Sequence, residues 1–403
     1  MSAREAAGEL GVTLPTLYAY VSRGLIRSES AGGSRRTRRY RAEDVRRLKE
    51  RAERRRDPDK AAEGALNWGT PVMESGITLI SEGKLYYRGR DALELAHGST
   101  VEEVAALIWT GDPAAAHRFF PEEPAVLSPR LRKVHGSVAD LAPPEAFGVL
   151  LPLAAAEDPA AYDLRSAAVA RTGVRILRAL VAIAGGDGSG GVVEILARGW
   201  APGEQDVAAL INAALVLCAD HELNVSAFTA RCVASSGATP YAAVAAGLAA
   251  IGGTRHGGQT ELVEALLREV GDGGDARFVL AGRLRRGEGI PGFGHSLYPE
   301  GDPRGRELLE LAAEARPRSP DVALAQEVSG AARALIGEAP TLDLGLATVA
   351  RVLGLPPGSA LALFALGRTI GWIGHAIEQY EDGSLIRPRA RYTGEGPFRN
   401  TDA

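Results

Sequence analysis

The sequence predicts a mainly α-helical protein with a small basic module at its front, and three observations carry that reading. Ala, Leu, Val and Gly are abundant while aromatics make up only 5% of the 403 residues, which suits close-packed helices better than aromatic-rich strands. From Thr100 onward apolar residues recur at helical spacing, as in VEEVAALIWTG, DVAALINAALVLCADHEL and ALALFALGRTIGWIGHAIEQY, with Gly and Pro as breaks. The charge is uneven: residues 1–60 hold 16 Lys+Arg against 9 Asp+Glu, or +7, and the remainder carries −11 within a total of −4. Such a split marks a basic module joined to an ordinary acidic body, while the overall charge gives the whole chain no reason to seek nucleic acid or membrane.

The elements follow in order. Ser2 and Glu5 have capping-box spacing and start a helix through Ala6, Ala7 and Leu10, which Gly11 stops. Thr13 with Pro15 opens a second helix, with Leu17, Tyr20 and Val21 on one face and Gly24 at its end. Residues 28–39, rich in Gly, Ser and Arg, read as a basic loop or a short hairpin, and 40–56 return to helical spacing. Residues 1–56 therefore form one domain. The charged stretch 57–66 with Pro58 is a linker, and 67–403 form the second domain. In that domain GITLISEGKLYYRGRDALEL alternates apolar and polar residues before turning helical, predicting a two-stranded feature.

Two cysteines, Cys218 and Cys232, make no disulfide framework and point to a reducing compartment. The start MSAREAAGELG lacks the apolar core of a secretory signal, and Asn212 and Arg368 interrupt two apolar stretches of near-membrane length. A cytoplasmic protein without membrane contact is the expectation. Of the seven histidines, His97, His117, His135 and His375 read as surface or core-satisfied residues. His221 in DHELN, His256 in TRHGGQTE and His295 in PGFGHSLYPEGDPRG lie beside acidic or glycine punctuation, where a histidine has little packing purpose. No HExxH, CxxC, GxSxG or Walker spacing occurs, so no metal site or resident cofactor is expected.

The string TLYAYVSRGLI followed by SRRTRRYRAEDV resembles the winged helix-turn-helix of MerR-type and excisionase-type proteins. That resemblance implies a second helix in the major groove and a basic wing on phosphates, with Arg23, Arg35, Arg36, Arg38 and Arg39 as DNA contacts. A solvated arginine-rich surface on an accessory domain is the other reading, and both stand at this point.

Seven further strings resemble motifs of the citrate synthase family, in that family's order, over about residues 67–394. They are YRG (87–89), HELNVSAFTAR (221–231), HGGQTE (256–261), GFGHSLYPEGDPR (292–304), PTLD (340–343), RTIGWIGHAIEQ (368–379) and RPRARYTG (387–394). The resemblance implies a large helical domain and a smaller one, roughly 260–365, in a homodimer that condenses oxaloacetate with acetyl-CoA to give citrate and CoA. It implies that His256 stabilises the enol of the thioester, Asp343 removes the methyl proton and His295 polarises the keto carbonyl. His221, Arg304 and Arg368 would bind the keto-dicarboxylate, with Arg387 reaching into the partner subunit's site. The chemistry needs such groups: a thioester methyl is a weak acid, so a base works only with a donor at the developing enolate oxygen. Arginines match carboxylates in geometry and charge.

Residue by residue, other roles are open. Asp343 has the position of a helix N-cap, Arg304 that of a local partner for Asp302, and Arg387 that of a surface charge. Ser296 and Pro299 stand where the family commonly has basic residues, with Arg283, Arg285 and Arg286 upstream as substitutes for CoA phosphates. This leaves 2-methylcitrate synthesis from propionyl-CoA as an alternative. A metabolite-sensing DNA-binding regulator on the same fold is another.

Overall fold

A computed structural model describes residues 1–22, 26–30, 38–41, 44–45, 73–120, 124–204, 207–390 and 392–396. The chain divides into two compact units, Met1–Glu74 and Ser75–Ala403. The expected linker at 57–66 and most of the expected helix at 40–56 lie outside the described residues.

In the first unit, helix α1 (Ala3–Leu10) begins with the capping box foreseen: Ser2 Oγ accepts from the Glu5 amide at 3.3 Å, and Glu5 Oε2 from the Ser2 amide at 2.8 Å. Gly11, at φ 62°, ends it in the left-handed conformation. Helix α2 (Leu14–Ser22) follows, and strands β1 (Ser28–Ser30) and β2 (Arg38–Tyr40) pair antiparallel, resolving the loop-or-hairpin alternative as a hairpin. Ala6, Ala7, Leu17, Ile26, Tyr40 and Val45 form a small core. Arg27 forks onto Asp44 with two bonds of 2.9 Å, tying the segment before β1 to the residues after β2.

The second unit opens with a three-stranded meander, β3 (Thr78–Ser81), β4 (Lys84–Tyr87) and β5 (Arg90–Asp91), where the sequence predicts two strands. The extra strand arises because Arg88 and Gly89 both take positive φ, 49° and 80°, and turn the chain back within two residues. The rest is helical among the described residues. Helices α3 (Ala92–Gly98), α4 (Val101–Thr110), α5 (Ala116–Phe119), α6 (Pro129–Ser137), α7 (Pro143–Ala156), α8 (Ser166–Gly185) and α9 (Val192–Trp200) lead to α10 (Val207–Cys218). His117 and His135 lie in α5 and α6. Then come α11 (Val225–Ser235), α12 (Pro240–Ile251), α13 (Gln259–Gly271), α14 (Ala276–Arg285), α15 (Pro303–Ala315), α16 (Pro320–Ile336), α17 (Leu342–Val352) and α18 (Ser359–Asp382).

Helix α18 is the axis of the large core. Its apolar stretch is long enough to cross a bilayer, yet that whole window is buried, so its apolarity serves packing on every side. Small residues let it approach α10: a Cβ on Gly367 would lie 2.5 Å from Leu215 O, and one on Gly371 would lie 2.4 Å from Ala219 O. Trp109 Nε1 donates to Ile370 O at 2.9 Å and pins α4 to the same axis.

A second core sits apart, built from Val263, Leu266, Leu267, Val270, Ala276, Leu280, Ile290, Val328, Ala331 and Ala332 with Leu344 and Ala347. Helix α17 serves both cores, giving Leu344 and Ala347 to the smaller and Leu342, Leu346, Val349 and Ala350 to the larger. Asp343 therefore sits in the first turn of the element that joins the two.

Candidate functional site

Residues 218–221 run from the end of α10 across the face of α18. Arg368 Nε donates to Cys218 O at 2.8 Å, the Gly371 amide donates to Ala219 O at 2.9 Å, and His375 Nε2 meets Asp220 Oδ1 at 3.1 Å. The segment ends in His221, followed at once by Glu222 at φ 51°. His221 is buried, and its Nε2 lies 2.9 Å from Tyr298 Oη.

Tyr298 comes from the glycine-rich loop that carries His295. Gly292 (φ 85°) and Gly294 (φ 78°) shape this loop, and it pairs with the residues ahead of α17. The Thr341 amide donates to Gly292 O at 2.9 Å and the Gly294 amide to Ala339 O at 3.0 Å. That pairing brings the His295 and Asp343 segments side by side. The rings of His221 and His295 are 5.3 Å apart, edge to face, and His295 lies 5.0 Å from Tyr298. The Leu297 amide points at His295 Nδ1 from 3.2 Å, so Nδ1 is an acceptor and the neutral ring carries its proton on Nε2.

His256 is half-buried at the turn before α13, with Nε2 2.7 Å from Ser226 Oγ and its ring edge-on to Phe364 at 5.6 Å. The Arg368 guanidinium lies 5.0 Å over the other part of this arrangement, the same Phe364 ring. Burial, then the Arg368 charge, holds His256 down to about 3, so the ring is neutral at physiological pH. Burial also lowers His221 well below the usual histidine range, assisted by the charges of Arg304 and Arg368. His295 is lowered by burial and by Arg304. The three imidazoles are thus uncharged hydrogen-bonding groups.

Arg304 and Arg368 are both buried. Arg304 forks onto Asp302 with bonds of 2.9 and 2.8 Å and stands 5.7 Å from the Tyr298 ring centre, so the local pairing foreseen for it is real. Asp302 also caps α15 through the Arg304 amide and accepts from the Leu342 amide at 3.2 Å, fixing α15 to the start of α17. Burial, the largest single influence, raises the Asp302 carboxyl, but the Arg304 charge and the hydrogen bonds from Arg304, with His295, together outweigh it and hold the group below its usual value. Arg368 keeps Nη1 buried with no hydrogen-bond partner among the described residues. An unpaired guanidinium nitrogen there is costly unless an anion takes it up.

Asp343 is not the N-cap of α17; Thr341 holds that position. Thr341 Oγ1 donates to Asp343 Oδ2 at 3.0 Å, while Oδ1 is enclosed with no hydrogen-bond partner among the described residues. Burial lifts the Asp343 carboxyl from 3.8 to about 6, with the Asp302 charge adding to it. A carboxylate so placed is a stronger base than usual and still ionised near neutrality.

The structure thus gathers His221, His256, His295, Arg304 and Arg368 around one centre with Asp343 bordering it. Arg387 stays outside, exposed and without an ion pair among the described residues. Of the front arginines, Arg38 and Arg39 lie on β2, with Arg39 exposed, whereas Arg23, Arg35 and Arg36 lie outside the described residues. Arg283 is bound by Glu269 at 2.6 Å and Arg286 by Glu288 at 2.5 Å, so two of the three upstream cations already have carboxylate partners. Sequence reasoning missed Asp220, Tyr298 and Ser226. All three adjoin the chosen histidines within a few residues or across a short bond, and the DH pair was the visible hint. It also left His375 as incidental, whereas this residue is wholly buried against Asp220.

Comparison with known proteins gives the same frame. The family model described as citrate synthase, C-terminal domain, matches residues 65–389, and that of the MerR HTH family regulatory protein matches residues 1–51. A citrate synthase of Haloferax volcanii is 32% identical over 81% of this chain and 94% of its own. A 2-methylcitrate synthase of Mycobacterium tuberculosis is 31% identical over 81% and 89%. The solved ternary complex of a Thermoplasma acidophilum citrate synthase with carboxymethyl coenzyme A and oxaloacetate superposes with a TM-score of 0.69 at 21% identity, covering 82% of this chain and 96% of that one. From residue 65 onward this is the fold of the citrate synthases, and the chain belongs to the citrate synthase family as an acyltransferase of that type.

Proposed function

We propose that the protein condenses acetyl-CoA with oxaloacetate to citryl-CoA, whose thioester water then cleaves to give citrate and free CoA. The observation that carries this reading is the buried Nη1 of Arg368, without a partner among the described residues, beside three neutral imidazoles and a carboxyl lifted to about 6. In this reading Asp343 takes a proton from the acetyl methyl. His256 donates to the thioester oxygen as the enol forms. When the Ser226 hydroxyl donates to His256 Nε2, the ring proton sits on Nδ1 and serves as that donor. His295 presents Nε2–H to the keto oxygen, making its carbon electrophilic and then protonating the alkoxide. Arg368 and Arg304 bind the carboxylates and His221 orients the keto acid. Arg387, exposed in its own subunit, would complete the site of the partner in a homodimer.

The body at roughly 260–365 would act as the smaller domain, closing over bound oxaloacetate and carrying His295 and Asp343 with it. The separate apolar core around Val263 and Leu267 supports such a body. No metal or resident cofactor enters this chemistry. A cytoplasmic site of action and a place in the tricarboxylic acid cycle accompany the reading.

The test is release of CoA, read with a thiol reagent, from full-length protein given oxaloacetate with acetyl-CoA or propionyl-CoA. No release with either would end the reading. Propionyl-CoA is included because a 2-methylcitrate synthase is almost as similar as a citrate synthase, at 31% against 32% identity. Higher kcat/KM with propionyl-CoA would assign 2-methylcitrate synthesis instead.

DNA binding by the first unit is supported by the MerR-type match and by the +7 charge of residues 1–60. Retention on DNA that falls steeply with salt and changes with oxaloacetate or CoA would make the protein a metabolite-responsive regulator. No retention at low salt would remove that role.

A further inference from the structure

The geometry points to Asp220 and His375 as a positioning pair that sets where His221 stands against Arg368. The inference rests on the proposed oxaloacetate site. Residues 218–220 meet α18 through three successive contacts, and the partners on the helix, Arg368, Gly371 and His375, fall on one face. Only the third contact is made by side chains alone, and it is the one next to His221.

Asp220 is wholly buried, and its two oxygens are used separately. Oδ1 meets His375 Nε2 at 3.1 Å, and Oδ2 accepts from Thr78 Oγ1 of β3 at 2.6 Å. The carboxylate is therefore held between α18 and the sheet. Below it Tyr87 Oη lies 3.0 Å from Val216 O, 3.3 Å from Leu217 O and 3.3 Å from Asp220 O, closing the open carbonyl end of α10. His375 Nδ1 is buried with no partner among the described residues, so Nε2 is the ring nitrogen that donates to Asp220 Oδ1. Gly371 leaves the room for this: a Cβ there would lie 2.4 Å from Asp220 Oδ1.

His375 and Thr78 therefore act on the keto acid through Asp220 and the backbone of His221. Loss of either contact should let His221 drift from the substrate without touching the thioester side, where His256 is held independently by Ser226.

The test is steady-state kinetics on full-length His375→Ala, His375→Gln and Thr78→Val, each with its melting temperature. His375→Ala and Thr78→Val are expected to raise the KM for oxaloacetate by about 10- to 100-fold. The KM for acyl-CoA should stay within about twofold, and His375→Gln, which keeps an N–H donor near Nε2, should recover most of the loss. Unchanged oxaloacetate KM in folded Thr78→Val overturns the inference, and so does a His375→Gln KM that is raised as far as that of His375→Ala. So does a parallel fall of all constants with melting temperature. Should His375→Ala fail to fold, the other two variants carry the test. A wrong reading of the function shows in the wild type itself, as no CoA release. In that case amide exchange of residues 219–221 decides, faster exchange in the variants supporting the clamp and unchanged exchange overturning it.

Discussion

Replacing Asp343 by Asn should make the protein more stable at pH 8 while removing its turnover. The carboxyl is lifted by burial from 3.8 to about 6, a gap worth about 3 kcal/mol. Below pH 3.8 the group is protonated in folded and unfolded chains alike and costs nothing. As pH rises, the unfolded chain ionises first, and the folded state loses stability until the carboxyl itself ionises near 6. Above that the loss is complete, and an amide of the same shape does not incur it. Calorimetric unfolding of both proteins should therefore show the variant gaining on the wild type by about 2 kcal/mol between pH 4 and pH 8. Comparing the difference at two pH values cancels changes in packing and in the Thr341 bond. A difference that stays flat with pH, or shrinks as pH rises, would refute the argument. The same ionisation sets the activity: wild-type kcat should climb through pH of about 6, and the Asn variant should fall by at least about 100-fold.

Other outcomes follow from single contacts. Ser226→Ala frees His256 Nε2 and should lower kcat about tenfold with oxaloacetate affinity unchanged, measured by steady-state kinetics against calorimetric binding. Gly367→Ala places a Cβ 2.5 Å from Leu215 O and should cost about 1–3 kcal/mol in denaturant unfolding, since a backbone carbonyl cannot step aside. Arg387→Ala and Asp343→Asn should each be nearly inactive alone, yet recover activity when unfolded and refolded together. One site of a mixed dimer would then hold an intact Asp343 and the partner's intact arginine, and no recovery would refute the shared site.

What the sequence discloses here depends on how local the cause is. The capping box of α1 and the left-handed Gly11 are visible because each contact lies within four residues of its partner. His256 and His295 stand out because glycines surround them, and glycine spacing is a backbone property written directly in the chain. Asp220 and His375 are separated by 155 positions, and only the fold brings them to 3.1 Å. The fates of Arg283 and Arg286 illustrate the other limit. An arginine string looks the same whether it awaits a phosphate or is held by Glu269 and Glu288, and only the helix packing decides. The third strand of the meander escaped for a smaller reason: two residues pair after a turn that needs positive φ at Arg88, which composition does not announce.

Helix α18 has a bearing on how the protein is made. A segment this apolar, exposed by itself, would attract other chains or an insertion apparatus. Helices α4, α8, α10 and α12, which cover it, all precede it in synthesis, so a groove of matching shape can await it as it emerges. Its interruptions then acquire a second use. Arg368, His375 and Gln379 put polar groups into a stretch that would otherwise suit lipid, biasing the nascent helix toward its own protein before any substrate is met.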